Sequence, residues 1–157
     1  MLVSEIITDC QARINDTGMN EIQPSEWLKY INQACDKIGR QLITNLDFDM
    51  IAPEITVNNG DAVPLMFEKT VGNYPGLYTE DSKFKISGAG TAMKVRYWAM
   101  KSHVTDVNST MPFKDSVLSE LAQQAAIFAG IRVPMDMKAE QGLLNEQVAV
   151  LNSSKAK

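Results

Sequence analysis

Two short stretches in the middle of the chain decide its fold: residues 84–88 read Phe-Lys-Ile-Ser-Gly, and residues 93–99 read Met-Lys-Val-Arg-Tyr-Trp-Ala. In both, apolar and charged side chains alternate, which is typical of a β-strand with one buried and one exposed face. The glycine-containing connection at 88–90 predicts that the two strands form a hairpin. A helical run from Val117 to Ala129 follows, so the hairpin is expected to pack on helices.

Four amphipathic helices flank this strand-rich middle. Apolar residues recur at helical spacing, which predicts helices over residues 2–15, 24–46, 113–131 and 135–151. The first is expected to end at Asn15-Asp-Thr-Gly18, because these residue types tolerate left-handed backbone and close turns. Pro24 suits the first position of the second helix, and Pro134 is expected to open the fourth. The tail, 152–157, is predicted to be loose.

Between the second and third helices the hydrophobic period changes from helical to two residues. Apolar residues 55–57 and 62–65 flank Asn58-Asn-Gly-Asp61, and Asn-Gly between apolar runs predicts a second hairpin. Further turns are expected at 74–76 and 80–82. The predicted class is therefore α+β: a single domain of four bundle-like helices, with a small antiparallel β-sheet at about residues 50–100 inserted between helices 2 and 3.

Bulk composition bounds the class of protein. The 157 residues are 45% hydrophobic and 22% charged, which is typical of one soluble globular domain. A net charge of −4 argues against nucleic-acid binding driven by the charge of the whole chain. No apolar run approaches the roughly 20 residues that span a bilayer. Glu5, Asp9 and Arg13 argue against a signal peptide at the start of the sequence.

Residue types suited to catalysis or metal binding are sparse. His103 is the one histidine, and no second His or Cys stands near it at ligand spacing. Asp47 and Asp49 offer too few oxygen donors for a hard cation. Gly88-Ala-Gly90 lacks the strand–turn–helix context of a phosphate loop. We therefore expect no catalytic residue, no metal and no cofactor, and predict that the chain is not an enzyme.

The two cysteines fall on the apolar stripes of the first two predicted helices. Cys10 and Cys35 are therefore predicted to be free thiols, buried where these helices pack.

A set of basic residues follows the alternating stretches and forms the candidate interaction surface: Lys83, Lys85, Lys94 and Arg96. Because they alternate with apolar residues, all are expected on the charged face of the predicted hairpin. Solvation and protection of a sheet edge explain such a face. Alternatively the face binds a partner, and its counterpart would be an acidic protein surface or nucleic-acid phosphates.

Several short motifs follow one another along the chain: Ala12-Arg-Ile-Asn-Asp-Thr17, Trp27-Leu28 with Tyr30-Ile-Asn-Gln-Ala34, Phe84-Lys-Ile-Ser-Gly88, Val95-Arg-Tyr97-Trp98, and then an Ala-rich helix. This order resembles that of the head-to-tail adaptor (connector) proteins of tailed bacteriophages. The first motif is similar to the close of their first helix, and the second to their second helix. The third resembles their Tyr-x-Ile-x-Gly strand, and the fourth resembles the strand that follows it. The similarity spans roughly residues 2–150, but the connection 90–93 is short where the family often carries a longer Pro-containing segment.

This resemblance implies a virion structural protein without catalytic activity. Such proteins dock under the portal ring and join capsid to tail, forming rings that commonly contain twelve subunits. DNA passes through the ring without specific binding. The implied partners are the portal protein and tail or neck proteins, with no membrane, and the implied location is the virion, or the host cytoplasm during assembly. Interaction surfaces are then expected at the 66–82 loop region, the four basic residues and the C-terminal helix.

Two alternatives stay open. The chain could be another neck or tail-completion protein of a phage. It could also be a small-ligand-binding or regulatory domain, with a pocket lined by Trp27, Tyr97, Trp98 and Phe113. Aromatic residues at helix and strand spacing more often belong to a core.

Overall fold

The computed structural model describes residues 1–16, 22–88, 92–131 and 138–153, and the chain divides into two compact units. Unit 1 combines Met1–Gln41 with Lys101–Lys157, and unit 2 is the intervening segment Leu42–Met100. Helices come first and last in the chain, with short antiparallel strands between helices 2 and 3. The predicted α+β class is therefore confirmed, whereas the bundle arrangement of the helices and the single-domain organisation stay predictions.

The third helix is the most buried element of unit 1. The helices are α1 (Val3–Arg13), α2 (Pro24–Thr44), α3 (Leu118–Gly130) and α4 (Lys138–Ser153). α3 contacts both α1 and α4, and even its polar residues Gln123 and Gln124 are buried. A helix buried on nearly all sides lies at the centre of its unit.

The first two helices end where the backbone turns left-handed. Asn15 has a φ of 57°, as its tolerance of this conformation predicts. α2 ends at Thr44 rather than at the predicted residue 46. The reason is that Leu46 adopts a φ of 59°, and the Asp47 N–H returns to the Leu42 carbonyl at 2.9 Å.

The boundaries of the last two helices also differ from the prediction. α3 begins at Leu118 rather than at 113, because Lys114 has extended backbone and residues Asp115–Val117 form a 3-10 turn. The predicted start of the fourth helix at 135 lies outside the described residues. α4 continues through Asn152 and Ser153, which the sequence placed in the loose tail, and residues 154–157 lie outside the description.

The described residues of unit 2 form six strands, which pair in three antiparallel ladders. The strands are β1 (Ile55–Asn58), β2 (Phe67–Thr70), β3 (Leu77–Glu80), β4 (Lys83–Ile86), β5 (Ala92–Val95) and β6 (Tyr97–Ala99). β1 pairs with β5, β2 with β6, and β3 with β4. Two of the three ladders therefore join segments that are far apart in the sequence.

Both predicted hairpins are wrong. The segment 62–65 does not pair with β1; instead Ala62 forms a bridge with Lys83. The predicted strand 93–99 is broken at Arg96, and neither half pairs with β4. β4 instead follows β3 through Asp81 and Ser82, whose positive φ values of 50° and 57° are those of a type I′ hairpin turn. Alternation identifies the buried face of a strand but not the strand that it pairs with.

A small apolar cluster holds these ladders together. Val57, Phe84 and Val95 form its buried centre, one residue from each of β1, β4 and β5. The Phe67 ring meets the Phe84 ring edge-to-face, with centroids 5.4 Å apart. The three central side chains are the ones that the alternating pattern places on the buried face.

Replacing Gly76 by alanine is expected to lower the free energy of unfolding by about 2 kcal/mol. Gly76 has a φ of 82°, and a Cβ there would lie 2.9 Å from the Ser87 Oγ and 3.0 Å from the Ser87 carbonyl oxygen. Gly72 is the matched control, because its φ is 83° and nothing lies within 4 Å of an added Cβ. Gly72→Ala should cost about 1 kcal/mol from backbone strain alone. Urea unfolding of the two variants measures the difference, and equal losses would refute the steric contact with Ser87.

Candidate interaction surface

Two of the four predicted surface residues lie on β4. Lys83 and Lys85 flank the fully buried Phe84, and they lie on the opposite face of the strand. Across the ladder, Lys83 is in register with Glu80, and Lys85 with Tyr78. The charge of Lys83 is therefore placed opposite a carboxylate.

The other two predicted residues flank the buried Val95 at the end of β5. The Lys94 Nζ lies 3.6 Å from the Glu54 Oε1 in an exposed ion pair, and such pairs contribute only about 0–1 kcal/mol. The backbone of Arg96 is held on both sides. Its N–H donates to the Tyr74 hydroxyl at 2.9 Å, and its carbonyl accepts the Val71 N–H at 2.8 Å.

The four cations thus lie as two separate pairs, and not on one hairpin as the sequence predicted. Lys83 and Lys85 belong to the β3–β4 ladder, whereas Lys94 lies in the β1–β5 ladder and Arg96 directly follows it. The predicted alternation holds around Phe84 and Val95, which are buried between more exposed cations. It fails beyond Arg96, where Trp98 is buried and Tyr97 is only half-buried. The 66–82 region, predicted to be a loop, contains β2 and β3. The role of the four cations as an interaction surface stays a prediction.

The single histidine takes part in a structural contact within unit 1. Its Nε2 lies 2.8 Å from the Asp36 Oδ1 on α2. One residue later, the backbone of Val104 makes two hydrogen bonds with the Asn32 side chain, each of 2.9 Å. His103 and Val104 therefore hold the segment that follows unit 2 against α2.

The two cysteines are free and buried, as predicted. Burial, followed by the charge of Asp36, raises the pKa of the Cys35 thiol to about 12. Burial also raises the pKa of Cys10 well above its ordinary range, with a smaller contribution from Asp9. The Cys10 thiol donates to the Ala122 carbonyl at 3.3 Å, so it packs against α3. α1 packs mainly on α3, and the predicted position of the two thiols between the first two helices is therefore not confirmed.

Across residues 1–16, 22–88, 92–131 and 138–153, no three His, Cys, Asp or Glu side chains come together as a metal site would require. None of the described helices combines the length and the apolar character needed to cross a membrane.

Unit 2 contains an open cleft of about 510 Å³, which the sequence did not predict. It lies between the approach to β2 and the end of β3, and its lining residues are Val63, Pro64, Leu65, Phe67, Thr79, Glu80, Asp81 and Ser82. Leu65 is 92% exposed. The cleft exists because β2 and β3 pair with other strands and not with each other, and no residue pattern signals that pairing.

No family model matches the chain, and no curated protein matches it. Its function is therefore inferred from its own residues.

Proposed function

We propose that the chain is a structural protein of a tailed-bacteriophage virion, a head-to-tail adaptor that docks under the portal ring and joins capsid to tail. It forms part of the passage for DNA and is not an enzyme. One observation carries this proposal. The residues that resemble the adaptor family occupy positions that end, anchor or fill the elements of the structure, in the same order along the chain.

The first motif turns the chain out of α1. Asp16 is 4% exposed, and its carboxylate accepts the Ile22 N–H at 3.2 Å. Its own N–H donates to the Gln11 carbonyl at 2.9 Å. The Arg13 Nε lies 3.2 Å from the Asp9 Oδ1. The Arg and Asp of this motif therefore fix the end of α1, which supports a shared local fold.

The later motifs supply interior anchors. Trp27 is fully buried, and its ring meets the Tyr30 ring edge-on. Asn32 anchors the segment at Val104 through its two hydrogen bonds. In the strand motifs, Phe84 and Val95 belong to the buried cluster of unit 2. These side chains are interior anchors of this chain, and their structural role supports the proposal that the shared motifs matter for folding.

The net charge of the chain and its division into two units are compatible with this role. A net charge of −4 suits a channel that passes DNA, because like charges disfavour a grip on the phosphates. Two compact units offer different surfaces for contacts between neighbouring copies. Heterologous contacts of that kind close into rings, and the family resemblance implies about twelve subunits, with portal and neck proteins as neighbours in the virion.

The aromatic residues of the small-ligand alternative are engaged in packing. Trp27, Trp98 and Phe113 are buried, and the Tyr97 ring lies 5.4 Å from the Phe67 ring. None of the four lines the cleft between β2 and β3. This arrangement favours the structural role.

A reconstitution experiment tests the adaptor proposal. The purified chain would be mixed with rings of the portal protein encoded in the same genome, and the product examined by electron microscopy and native mass spectrometry. We expect a symmetric layer added to the portal ring. If the portal rings and the chain remain separate at micromolar concentrations while the chain binds a small metabolite, the adaptor proposal fails.

Charge reversal tests whether the cationic pair at the end of β5 contributes to this docking. Lys94→Glu and Arg96→Glu should each weaken association with the portal about tenfold or more, since opposed charges at an interface are strongly unfavourable. Lys29→Glu, at an exposed position on α2, makes the same change in net charge and should have little effect. Binding can be measured by surface plasmon resonance at two salt concentrations. Equal effects of all three substitutions would mean that only net charge matters.

A further inference from the structure

Among the described residues of unit 2, the strands can be followed laterally from β3 to β2. β3 pairs with β4, and β4 is bonded on its other side to the segment that follows β1. The Phe84 N–H donates to the Asp61 carbonyl and the Gly60 N–H donates to the Phe84 carbonyl, both at 2.8 Å. β1 then pairs with β5, and β6, which follows β5, pairs with β2. The order therefore ends at β3 on one side and at β2 on the other. The cleft lies between the approach to β2 and the end of β3, and it is closed at one point, where the Val63 N–H donates to the Ser82 carbonyl at 2.9 Å.

The backbone of Thr79 points out of the β3–β4 ladder. In an antiparallel ladder, residues alternate between those bonded to the partner strand and those whose N–H and C=O face away. Thr79 is in register with Phe84, and both backbone groups of Phe84 are bonded to residues 60 and 61. Thr79 therefore belongs to a pair that is not bonded within the ladder. Its N–H and C=O face the free edge, and no described residue outside the ladder bonds them.

The two walls of the cleft differ in chemistry. One wall is apolar and consists of Val63, Pro64, Leu65 and Phe67. The other ends in Glu80 and Asp81, both exposed. Lys83 is in register with Glu80 across the ladder, but among the described residues no cation lies within 4.0 Å of either carboxylate. An apolar wall opposite two carboxylates without a salt bridge fits a ligand that is apolar on one side and basic on the other.

We propose that this cleft binds an extended, basic segment of a partner protein, which adds as a strand along β3. The segment would exchange main-chain hydrogen bonds with Thr79, lay an apolar side chain on Leu65 and Phe67, and place a Lys or Arg at Glu80 and Asp81. Main-chain bonds supply the affinity in such strand addition, and alternate side chains supply the specificity. The four residues of β3 span about 13 Å, so the bound core is about four residues long.

Of the two free edges, β3 and β2, β3 is the better template for an added strand. The β2–β6 register shifts between Phe67 and Lys69, and a bulge of this kind interrupts the even row of backbone groups that an incoming strand needs. β3 pairs with β4 without such a shift. This inference goes beyond the adaptor proposal and does not depend on it, because the cleft would bind its segment whatever larger assembly the chain joins.

Synthetic peptides test the binding mode on the intact chain. The probe is an acetylated heptapeptide that reads Thr-Val-Lys-Val-Arg-Val-Thr, and the control replaces its Lys and Arg by Glu. In an NMR titration the basic peptide should shift the Thr79 amide and slow its hydrogen exchange. The acidic peptide should bind at least about tenfold more weakly, because Glu80 and Asp81 would repel it. Equal binding of both peptides, or no binding up to millimolar concentration, would overturn the proposal.

Two substitutions separate the backbone contribution from the charge contribution. Thr79→Pro removes the outward N–H, at an edge position where proline is tolerated, and should reduce binding at least about tenfold, whereas Thr79→Val should retain it. Glu80→Lys combined with Asp81→Asn should abolish the preference for the basic peptide. If Thr79→Pro fails to fold, a basic peptide N-methylated at its central valine tests the same hydrogen bonds on the unaltered chain. Undiminished binding of that peptide, or self-association of the chain through this cleft, would contradict the assignment.

Discussion

Replacing Phe84 by alanine is expected to lower the free energy of unfolding by about 3–5 kcal/mol. Phe84 is fully buried at the centre of the apolar cluster of unit 2, and its edge-to-face contact with Phe67 adds about 0.5–1.5 kcal/mol that alanine cannot replace. A loss of this size is a large fraction of the stability of an ordinary domain. Urea unfolding followed by near-ultraviolet circular dichroism measures it.

Leu65→Ala is the matched control for this substitution. Leu65 is also a large apolar residue of unit 2, but it is 92% exposed, so its loss should change the stability by no more than about 0.5 kcal/mol. Similar losses in the two variants would mean that Phe84 is not the centre of the core. Hydrogen exchange of the Phe84→Ala chain would also show whether the two units lose structure together.

The second large effect is expected from pH, through the two buried thiols. The ordinary thiol pKa of 9.0 is raised in the folded chain, to about 12 for Cys35 and further for Cys10. Above pH 9 the unfolded chain therefore loses thiol protons that the folded chain keeps, so the unfolded state binds fewer protons and stability falls as pH rises. Between pH 8 and 10 each thiol should contribute a loss of about 1.4 kcal/mol, or about 3 kcal/mol for both.

Unfolding by urea at pH 8, 9 and 10 measures this slope, and the Cys10→Ala/Cys35→Ala chain is the control. The control is expected to be less stable overall but to show a flatter dependence on pH. Thiol labelling gives an independent readout, since both groups should react slowly in the native chain and rapidly in urea. A slope that is the same with and without the cysteines would show that other groups govern alkaline unfolding.

Local patterns in the sequence predicted the helices and strands of this chain better than they predicted which strands pair with each other. The apolar stripe of the second helix and the burial of Cys10 and Cys35 follow from 3.6-residue spacing, which is a local property. The burial of Phe84 and Val95 follows equally from strand alternation. The pairing of β1 with β5 does not follow from alternation, because alternation shows which face of a strand is buried but not which strand it pairs with. The Asn-Gly at 59–60 looked like a hairpin turn, yet the residues after it bond to β4.

The same limit applies to the candidate site. The outward positions of Lys83, Lys85, Lys94 and Arg96 could be predicted, since each lies next to a buried residue on a strand or at its end. Their separation onto two ladders could not be predicted, because it depends on long-range pairing. The cleft between β2 and β3 depends on that pairing too. The strand Leu77–Glu80 carries only one side chain on the cluster, with a burial pattern too weak to identify it as an edge.

The antiparallel contact between the start and the end of the strand-rich segment of unit 2 has a consequence for how such a chain can evolve. Ile51 forms a bridge with Trp98, and the Ala52 N–H donates to the Tyr97 carbonyl at 2.9 Å. The segment thus starts and finishes at neighbouring points, as does a domain that tolerates insertion into a host. We therefore expect the strand-rich segment to tolerate exchange or lengthening as a unit, without changes in the helices that precede and follow it in the sequence.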